Sequence, residues 1–352
     1  MRLGLHGDSF LERLALRAGL VPVPAAEAWG GMALSGVLIA AVELGVVARL
    51  AAGPATAAAV AADLGLAPEP TRLLLACLRS TGYLTSRRGT YRLTRLARRW
   101  LDPAARRSLG HFVAGVSDYW GWWAQLPEVV RGGTPVRHHD ADPDDAYWQR
   151  YMLGQFELAR LTAGAVARRV VVPRGARAVL DIGGGHGWYS VALCRRHAGL
   201  SATVLDLPGS ARAGRRIVAA TGYADRVRHW EGDALATDLA GPYDVVLCFN
   251  VIHHLAAADV PDLFRRIRAA LRPHGTFAVL DGFVEEHGRG TAAGDLLGLF
   301  TYLSSGSRSY PPAQLRTWLA DAGFSEPRRS ALRRVPGLTL FQAHPLPRRP
   351  VA

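Results

Sequence analysis

Residues 179–190 read Val-Leu-Asp-Ile-Gly-Gly-Gly-His-Gly-Trp-Tyr-Ser, and this stretch decides the fold. An apolar run with strand character ends in a carboxylate and then passes through four glycines within five residues, from Gly183 to Gly187. Glycine permits a positive φ and lets a ligand approach without meeting a Cβ atom. The helical pattern that follows presents unpaired N–H groups and a partial positive charge to an anion. The stretch therefore predicts a strand, a tight turn and a helix start that together bind a nucleotide-like ligand.

The glycine spacing limits which nucleotide can bind. The dinucleotide pattern G-x-G-x-x-G, counted from Gly183, needs its third glycine at position 188, where the chain has Trp188. A large ring there opposes close packing of helix and strand, so NAD is disfavoured. A second carboxylate, Asp206, ends the next apolar run, residues 202–205, where it suits hydrogen bonds to two ribose hydroxyls.

On these residues the sequence resembles the class I S-adenosylmethionine-dependent methyltransferases. The resemblance is strongest to the small-molecule O-methyltransferases typified by the plant caffeate and bacterial polyketide enzymes. It implies that the glycines hold the methionine end of S-adenosyl-L-methionine, that Asp206 binds the ribose, and that Asp233 binds the adenine amino group. The cofactor-binding residues that it implies are Asp181, Gly183, Gly185, Gly187, Asp206, Leu207, Gly232, Asp233, Ala234 and Asn250.

From Pro173 onward, strand and helix patterns alternate. We expect strands at 177–182, 203–207, 227–231, 243–249 and 276–282, with helices at 188–197, 209–221 and 259–271 between them. This alternation predicts an α/β fold with a doubly wound, mostly parallel sheet. A helix at 314–322 and a strand at 338–343 would finish an edge hairpin, giving the Rossmann-like, seven-stranded sheet that the resemblance implies for residues 173–352. The cofactor would bind at the carboxyl ends of the strands.

The first hundred residues have a different, mainly helical pattern. We expect a short amphipathic helix over 8–20, ended by Val21-Pro22-Val23-Pro24, then helices at 36–50, 57–64 and 72–78 and a β-hairpin over 83–94. Three helices and a hairpin form a winged helix. DNA binding is disfavoured, because the third helix is polar only at Arg72, Arg79 and Ser80, and a recognition helix needs several polar side chains. The resemblance implies instead a homodimer with a dimerisation domain at 1–108 and a helical connector at 109–172.

The composition is that of a globular protein, with 49% hydrophobic and 20% charged residues in a chain of 352. The net charge of +13 rests on 42 basic residues that are all arginine, which is typical of a GC-rich genome. We therefore expect neither a nucleic acid nor a membrane as partner, with attraction of an anionic substrate as the alternative. Three scattered cysteines and the lack of a signal-peptide pattern favour a cytoplasmic protein. The most apolar window, residues 32–50, is interpreted as a buried helix.

Candidate catalytic residues follow the fourth and fifth strands of the catalytic domain. A phenol with a pKa of about 10 is mostly protonated at neutral pH, so a histidine base assists its methylation. The resemblance places that base at His253 and places Asp281, one methylene shorter than the family's Glu, where a carboxylate holds the histidine. The family's Asp beside the histidine is here His254, and a second family Glu is here Ser307.

The expected function is O-methylation of a small or mid-sized aromatic bacterial natural product. The departures at His254 and Ser307 leave open a carboxylate or C-methyltransferase of the same fold. From other classes, a cofactor-binding homologue without methylation and a winged-helix regulator remain as alternatives.

The helical connector is rich in aromatic residues, and in the resembled family this segment walls the acceptor pocket. The substrate-binding residues that we expect here and in later segments are Tyr147, Trp148, Tyr151, Met152, Phe156, His254, Asp295 and Phe300. Between two aromatic clusters, the residue types of His138, His139, Asp140 and Asp142 could bind a metal. They lack regular ligand spacing, so we expect a solvated loop and no metal.

Overall fold

The computed structural model describes residue 7 and residues 9–284, 292–332 and 337–347, and the chain divides into two units, residues 1–120 and 121–352. The helices of the first unit are α1 (Phe10–Arg17), α2 (Val23–Glu43), α3 (Val46–Ala52), α4 (Ala57–Leu64), α5 (Pro68–Ser80), α6 (Arg95–Trp100) and α7 (Gly110–Gly115). Its strands are β1 (Ala55–Thr56), β2 (Leu84–Arg87) and β3 (Thr90–Leu93). The α8 helix (Tyr119–Ala124) begins at the end of this unit.

The expected winged-helix pattern is present in the first unit. β2 and β3 form the antiparallel hairpin, with Leu84 opposite Leu93, and β1 pairs with the other edge of β3. Leu50 of α3, Leu75 of α5 and Leu93 of β3 are buried in one core. Three helices and the hairpin therefore form one folded body, as the sequence pattern indicated.

The single helix predicted over 36–50 is two helices in the structure, because α2 ends at Glu43 and α3 begins at Val46 after Gly45, whose φ is +74°. The α2 helix also differs from the prediction in its start. It begins at Val23 and not at residue 36, because proline fits the first turn of a helix, and Pro22 and Pro24 therefore open α2 instead of ending the segment. The expectation of a buried helix over 32–50 holds for its last part, where Val46, Val47 and Leu50 are buried, but within α2 itself only Ile39 and Ala41 are buried. Within the described residues, α2 is the one helix long and apolar enough to cross a membrane, which by itself is weak evidence for a membrane span.

The second unit continues with α9 (Leu126–Val130), α10 (Ala146–Ala167), α11 (Trp188–Arg196), α12 (Pro208–Ala219), α13 (Val260–Ala270), α14 (Ala292–Ser305) and α15 (Pro312–Asp321). Its strands are β4 (Ala178–Ile182), β5 (Ser201–Asp206), β6 (Val227–Glu231), β7 (Tyr243–Phe249), β8 (Leu271–Asp281), β9 (Arg328–Ala331) and β10 (Thr339–Ala343). Short 3-10 helices cover His138–Asp140 and Ile252–His254.

The expected doubly wound sheet is confirmed, with seven strands in the order β6-β5-β4-β7-β8-β10-β9. β4 to β8 are parallel, and β10 pairs antiparallel with β8 and with β9. The parallel strands are buried on both faces, which is why they read as continuous apolar runs. Val179 and Val204 belong to the core on one face, and Leu180 and Leu205 to the core on the other.

Candidate active site

The carboxyl ends of the parallel strands gather most of the predicted functional residues. From β4 the chain runs outward through β5 to β6 and then returns to β7 on the other side of β4, so the strand order reverses at β4. In open α/β sheets, ligands bind in the crevice at such a reversal. The turn 183–187 follows β4, Asp206 ends β5, residues 250–254 follow β7 and Asp281 ends β8.

Two glycines of the turn, Gly183 and Gly185, have no space for a side chain. Gly183 and Gly185 have φ values of +61° and +44°, in the left-handed region. A Cβ atom would lie 2.5 Å from Val251 Cγ2 at Gly183 and 2.9 Å from Met152 Sδ at Gly185. Glycine alone satisfies both the backbone conformation and the space. The turn is therefore a backbone cradle of the kind that the cofactor prediction requires.

Asp206 faces this cradle from the end of β5. Its Oδ2 accepts the N–H of Gly185 at 2.7 Å, and its Oδ1 accepts the N–H of Leu207 at 2.7 Å. Burial raises the pKa of Asp206 to about 6, while these two hydrogen bonds act in the opposite direction. A carboxylate oxygen has more than one acceptor position. Asp206 can therefore still accept the two hydroxyls expected of it.

Asp181 lies beneath the turn and is 1% exposed. Its Oδ2 accepts the hydroxyl of Ser190 at 2.7 Å, and its Oδ1 has no hydrogen-bond partner among the described residues. Burial raises the pKa of Asp181 to about 7. An unpartnered buried oxygen under a glycine-rich turn fits a ligand that carries an amino group, as the methionine end of S-adenosylmethionine does. The residues present fit the predicted cofactor.

The other cofactor candidates shape the backbone around the same strand ends. The Gly232 N–H donates to the main-chain oxygen of Asp206 at 2.9 Å, and the Asn250 N–H donates to the Leu280 oxygen at 2.7 Å. Asp233 is exposed, and its Oδ1 accepts the N–H of Leu235 at 2.8 Å. Ala234 and Leu235 pack against the sheet core. Asp233 therefore stabilises its own turn, and its contact with adenine stays a prediction.

His253 and Asp281 form a pair across two neighbouring strand ends. His253 Nδ1 lies 2.6 Å from Asp281 Oδ1, which also accepts the Gly282 N–H at 2.7 Å. The Asp281 side chain is 2% exposed and that of His253 is 18% exposed. A carboxylate that accepts from Nδ1–H orients the ring and leaves Nε2 as the nitrogen able to accept a proton. The pair therefore has the arrangement of a held general base.

Three more imidazoles adjoin His253. The ring centroid of His254 is 4.0 Å from that of His253 and 4.5 Å from that of His139. His138 is buried, and its Nδ1 lies 2.6 Å from the Tyr147 hydroxyl. The expectation of a solvated loop is wrong for His138, because its ring packs among the aromatic side chains of other segments. We call His138, His139 and His254 the histidine cluster.

Burial is the main cause of lowered pKa values in the histidine cluster. The pKa of His138 is lowered to about 2 and that of His139 to about 4. The pKa of His254 is lowered well below the usual value, and its Nδ1 has no hydrogen-bond partner among the described residues. Repulsion from neighbouring imidazoles adds to the effect of burial. All three rings are therefore neutral at neutral pH.

The α10 helix supplies the aromatic side chains next to the histidine cluster. Tyr147 and Tyr151 stack with their ring centroids 5.4 Å apart. Trp148 is buried and donates its Nε1–H to the main-chain oxygen of Asp142 at 3.0 Å. Tyr151 lies edge-on to His138 at 5.2 Å. These three predicted pocket residues are thus brought together with the histidines.

Two further residues of α10 lie nearer the glycine turn. Met152 is buried, and its Sδ accepts the hydroxyl of Ser210 at 3.4 Å. Phe156 packs edge-on against Trp188 at 5.2 Å between ring centroids. One helix therefore carries side chains toward the histidine cluster and others toward the cradle.

The α14 helix contributes Phe300 to the aromatic wall. Phe300 stacks on Trp122 at 5.8 Å, and Trp122 stacks on His138 at 4.9 Å. Trp122 was not among the predicted site residues, because the sequence does not show which way the side chains of its aromatic run point. Asp295 is exposed in the first turn of α14, where a carboxylate is favoured by the helix dipole. This position in the helix is sufficient to explain an aspartate at 295, without a contact to the methyl-acceptor substrate.

Comparison with known families agrees with this geometry. Residues 130–325 match the O-methyltransferase domain family, and residues 26–103 match the O-methyltransferase dimerisation domain. The chain belongs to the O-methyltransferase family. The family membership that the sequence indicated is thereby confirmed, and the protein is an S-adenosylmethionine-dependent O-methyltransferase.

This O-methyltransferase is similar to characterised enzymes over most of its length. It is 33% identical over 303 residues to the 3-hydroxy-5-methyl-1-naphthoate 3-O-methyltransferase of Streptomyces sahachiroi, covering 83% of this chain and 86% of that enzyme. It is 32% identical over 319 residues to the acetylserotonin O-methyltransferase of Mus musculus, covering 84% and 81% of the two chains. Its fold superposes on human N-acetylserotonin methyltransferase in complex with SAM, with a TM-score of 0.81, 22% identity, and coverage of 97% and 100%.

Proposed function

We propose that this O-methyltransferase methylates a hydroxyl group of an aromatic natural product, with His253 as the general base. The observation that carries the proposal is the 2.6 Å contact between His253 Nδ1 and Asp281 Oδ1. This pair lies at the ends of β7 and β8, and the glycine turn follows β4, which pairs directly with β7. The general base and the glycine turn therefore lie at the same side of the sheet, where the parallel strands have their carboxyl ends.

The cofactor is held, in this proposal, by the turn 183–187 and by two carboxylates. Asp206 accepts the ribose hydroxyls, and the unpartnered Oδ1 of Asp181 supports the amino group at the methionine end. Asp233 is assigned to the adenine amino group. When bound, S-adenosylmethionine supplies an electrophilic methyl group on a sulfonium.

The chain's own residues have to position the acceptor and accept its proton. His253 Nε2 accepts the proton of the phenolic O–H, and Asp281 stabilises the imidazolium that forms. The deprotonated oxygen would form the O–CH₃ bond with one of its electron pairs while the S–CH₃ bond broke, and the electrons of the broken bond would remain on sulfur. The proton then leaves His253 to solvent. Positioning of the two reacting groups supplies much of the rate.

An aromatic acceptor suits the side chains around the base. Trp122 stacks on His138, the Tyr147 and Tyr151 rings lie edge-on to His138, and Phe300 stacks on Trp122. The relative from Streptomyces sahachiroi is named for a hydroxynaphthoate, and another from Streptomyces glaucescens is named for tetracenomycin polyketide synthesis. We therefore assign a hydroxylated, fused-ring aromatic acceptor to this enzyme.

A homodimer in the cytoplasm completes the proposal. Helices α1 and α2 expose large apolar side chains in the single chain, among them Phe10 at 72%, Trp29 at 71% and Met32 at 54%. Residues 26–103 match the O-methyltransferase dimerisation domain. A second copy of the chain would cover these side chains.

The test is methyl transfer from labelled S-adenosylmethionine to 3-hydroxy-1-naphthoic acid, N-acetylserotonin and non-phenolic carboxylic acids. Wild type is compared with His253→Ala and with His274→Ala, which changes an exposed histidine. We expect label on a phenolic oxygen, lost in His253→Ala and kept in His274→Ala. Cofactor binding, measured by calorimetry, should survive in both variants.

Other outcomes separate the remaining functions. Label on a carboxylate, retained in His253→Ala, would mean ester formation without a histidine base. Label on carbon would mean C-methylation. Binding of S-adenosylmethionine without transfer to any acceptor would contradict the proposed function.

A further inference from the structure

The histidine cluster has the donor set of a transition-metal site. One ring nitrogen from each of His138, His139 and His254 lies within 4.8 Å of the others. Two of these residues come from the 3-10 helix at 138–140 and the third from the 3-10 helix at 252–254, more than a hundred residues along the chain. Neutral imidazole is the commonest metal ligand in proteins, and three imidazoles with an open fourth position form a common zinc site.

Packing alone accounts poorly for this arrangement. Neutral imidazoles carry one donor and one acceptor each, and leaving a buried polar atom without a partner is unfavourable. The Nδ1 atom of His254 is buried without a partner among the described residues. A cation between the three rings would satisfy it, and a cluster of apolar side chains would fill the same space without the cost.

The contact between His138 and Tyr147 fits a metal ligand. His138 Nδ1 lies 2.6 Å from the Tyr147 hydroxyl. When Nδ1 donates to that oxygen, Nε2 has the lone pair that a metal requires. Metal-bound histidines nearly always donate their other ring N–H to an oxygen in this way, which fixes the tautomer and the ring orientation.

We infer that the histidine cluster binds one zinc ion through His138, His139 and His254, with Tyr147 positioning His138. Tetrahedral zinc with Zn–N bonds of about 2.0–2.1 Å places its ligand nitrogens about 3.4 Å apart. The ring nitrogens now lie within 4.8 Å of one another, and small ring movements would bring them to the shorter distance. The fourth position remains for an oxygen donor, beside His253, whose ring centroid is 4.0 Å from that of His254.

Cobalt is the probe of choice, because cobalt(II) replaces zinc in such sites and absorbs visible light when four-coordinate. Full-length protein without an affinity tag is stripped with chelator and dialysed. All samples carry Cys77→Ser, because Cys77 is an exposed thiol that could bind cobalt independently. Cobalt is titrated by absorbance, and zinc affinity follows from displacement of cobalt.

The variants are His254→Gln, His139→Gln, Tyr147→Phe and the control His274→Gln. We expect one equivalent of cobalt in the parent protein, displaced by one equivalent of zinc. His254→Gln and His139→Gln should each weaken zinc binding at least tenfold, and loss of the positioning hydroxyl in Tyr147→Phe should weaken it about 10- to 100-fold. The control should bind as the parent does, since His274 is exposed.

The two ligand variants lie on different segments, so the failure of one to fold leaves the other available, and circular dichroism reports the fold. Substoichiometric cobalt uptake in the parent would overturn the inference. So would equal zinc affinity in the parent and in a folded ligand variant. Metal binding is read without methyl transfer, so this result is independent of whether His253 acts as the base.

Discussion

The imidazole of His253 is held by the carboxylate of Asp281, whose Oδ1 lies 2.6 Å from His253 Nδ1. The Asp281 carboxylate is itself fixed by the Gly282 N–H at 2.7 Å. Parallel pairing of β7 with β8 sets the distance between them, because Phe249 lies opposite Leu280 at the ends of the two strands. The shorter side chain of Asp at position 281 therefore still reaches the histidine.

Asp281→Asn tests whether the carboxylate supports the base. The amide has a similar size but does not stabilise an imidazolium, so we expect kcat for the phenolic acceptor to fall on the order of 10²-fold or more. Affinity for S-adenosylmethionine should stay unchanged. Asp281→Glu is the matched control, since it retains the charge and should retain more activity. Unchanged kcat in Asp281→Asn would contradict a role for the pair.

Asp206→Asn tests the ribose assignment. Hydrogen bonds to charged groups contribute about 1.5–3 kcal/mol, so S-adenosylmethionine should bind roughly 10- to 100-fold more weakly. Isothermal titration calorimetry measures this directly. Asp238→Asn is the control, because Asp238 is an exposed carboxylate whose Oδ1 accepts the Ala240 N–H. Equal affinity in wild type and Asp206→Asn would exclude the assignment.

His186 makes stability depend on pH. Burial, with a smaller effect of nearby His229, lowers the pKa of His186 to about 3. An unfolded histidine binds a proton below a pH of about 6.5, so between that pH and about 3 the unfolded state holds more protons. The free energy of unfolding should therefore decrease as the pH falls through this window, by up to about 1.4 kcal/mol per pH unit from this group.

His186→Asn isolates that contribution. Asn retains an acceptor for the Trp188 N–H, which lies 3.0 Å from His186 Nδ1. We expect urea unfolding at about pH 7 and about pH 5 to show a smaller loss of stability in the variant than in wild type. His274→Asn, at an exposed histidine, should follow wild type. A loss as large in His186→Asn as in wild type would show that His186 does not cause it.

Trp29→Glu with Met32→Glu tests the dimer. Both side chains are exposed on α2, at 71% and 54%, and placing charges in a buried apolar interface is costly. We expect light scattering after size exclusion to shift from dimer to monomer. Leu346→Glu, at an exposed leucine of the second unit, is the control and should remain dimeric. If the double variant is still a dimer, the dimer interface does not include Trp29 and Met32.

Local pattern was sufficient to predict most of the catalytic fold. Strands buried on both faces appear as unbroken apolar runs, and the glycines after Ile182 mark a conformation that other residues rarely adopt. The predicted strand at 243–249 therefore has the observed bounds. The start of α2 was not predictable in this way, because Pro22 and Pro24 are compatible with both the end and the start of a helix.

Burial was the property that local pattern failed to predict. The apolar sequence of α2 indicated a buried helix, yet within α2 only Ile39 and Ala41 are buried, while Val37, Leu38 and Val42 are half-buried. The polar sequence around His138 indicated solvent, yet His138 is 6% exposed. Apolar side chains of α2 stay exposed in the single chain, and the surroundings of His138 come from other segments, including Trp122, Tyr151 and His254.

The sequence by itself determined the sheet and the glycine turn, because both depend on short-range pattern at strand ends, and the family resemblance of the same residues indicated the candidate base. The resemblance placed Asp281 beside His253, and the tertiary structure shows that contact; only the tertiary structure placed His254 between His253 and His139. Such contacts depend on how strands pair and on where the 3-10 helix at 138–140 packs. His139 and His254, which are more than a hundred residues apart, meet only when the whole core has packed.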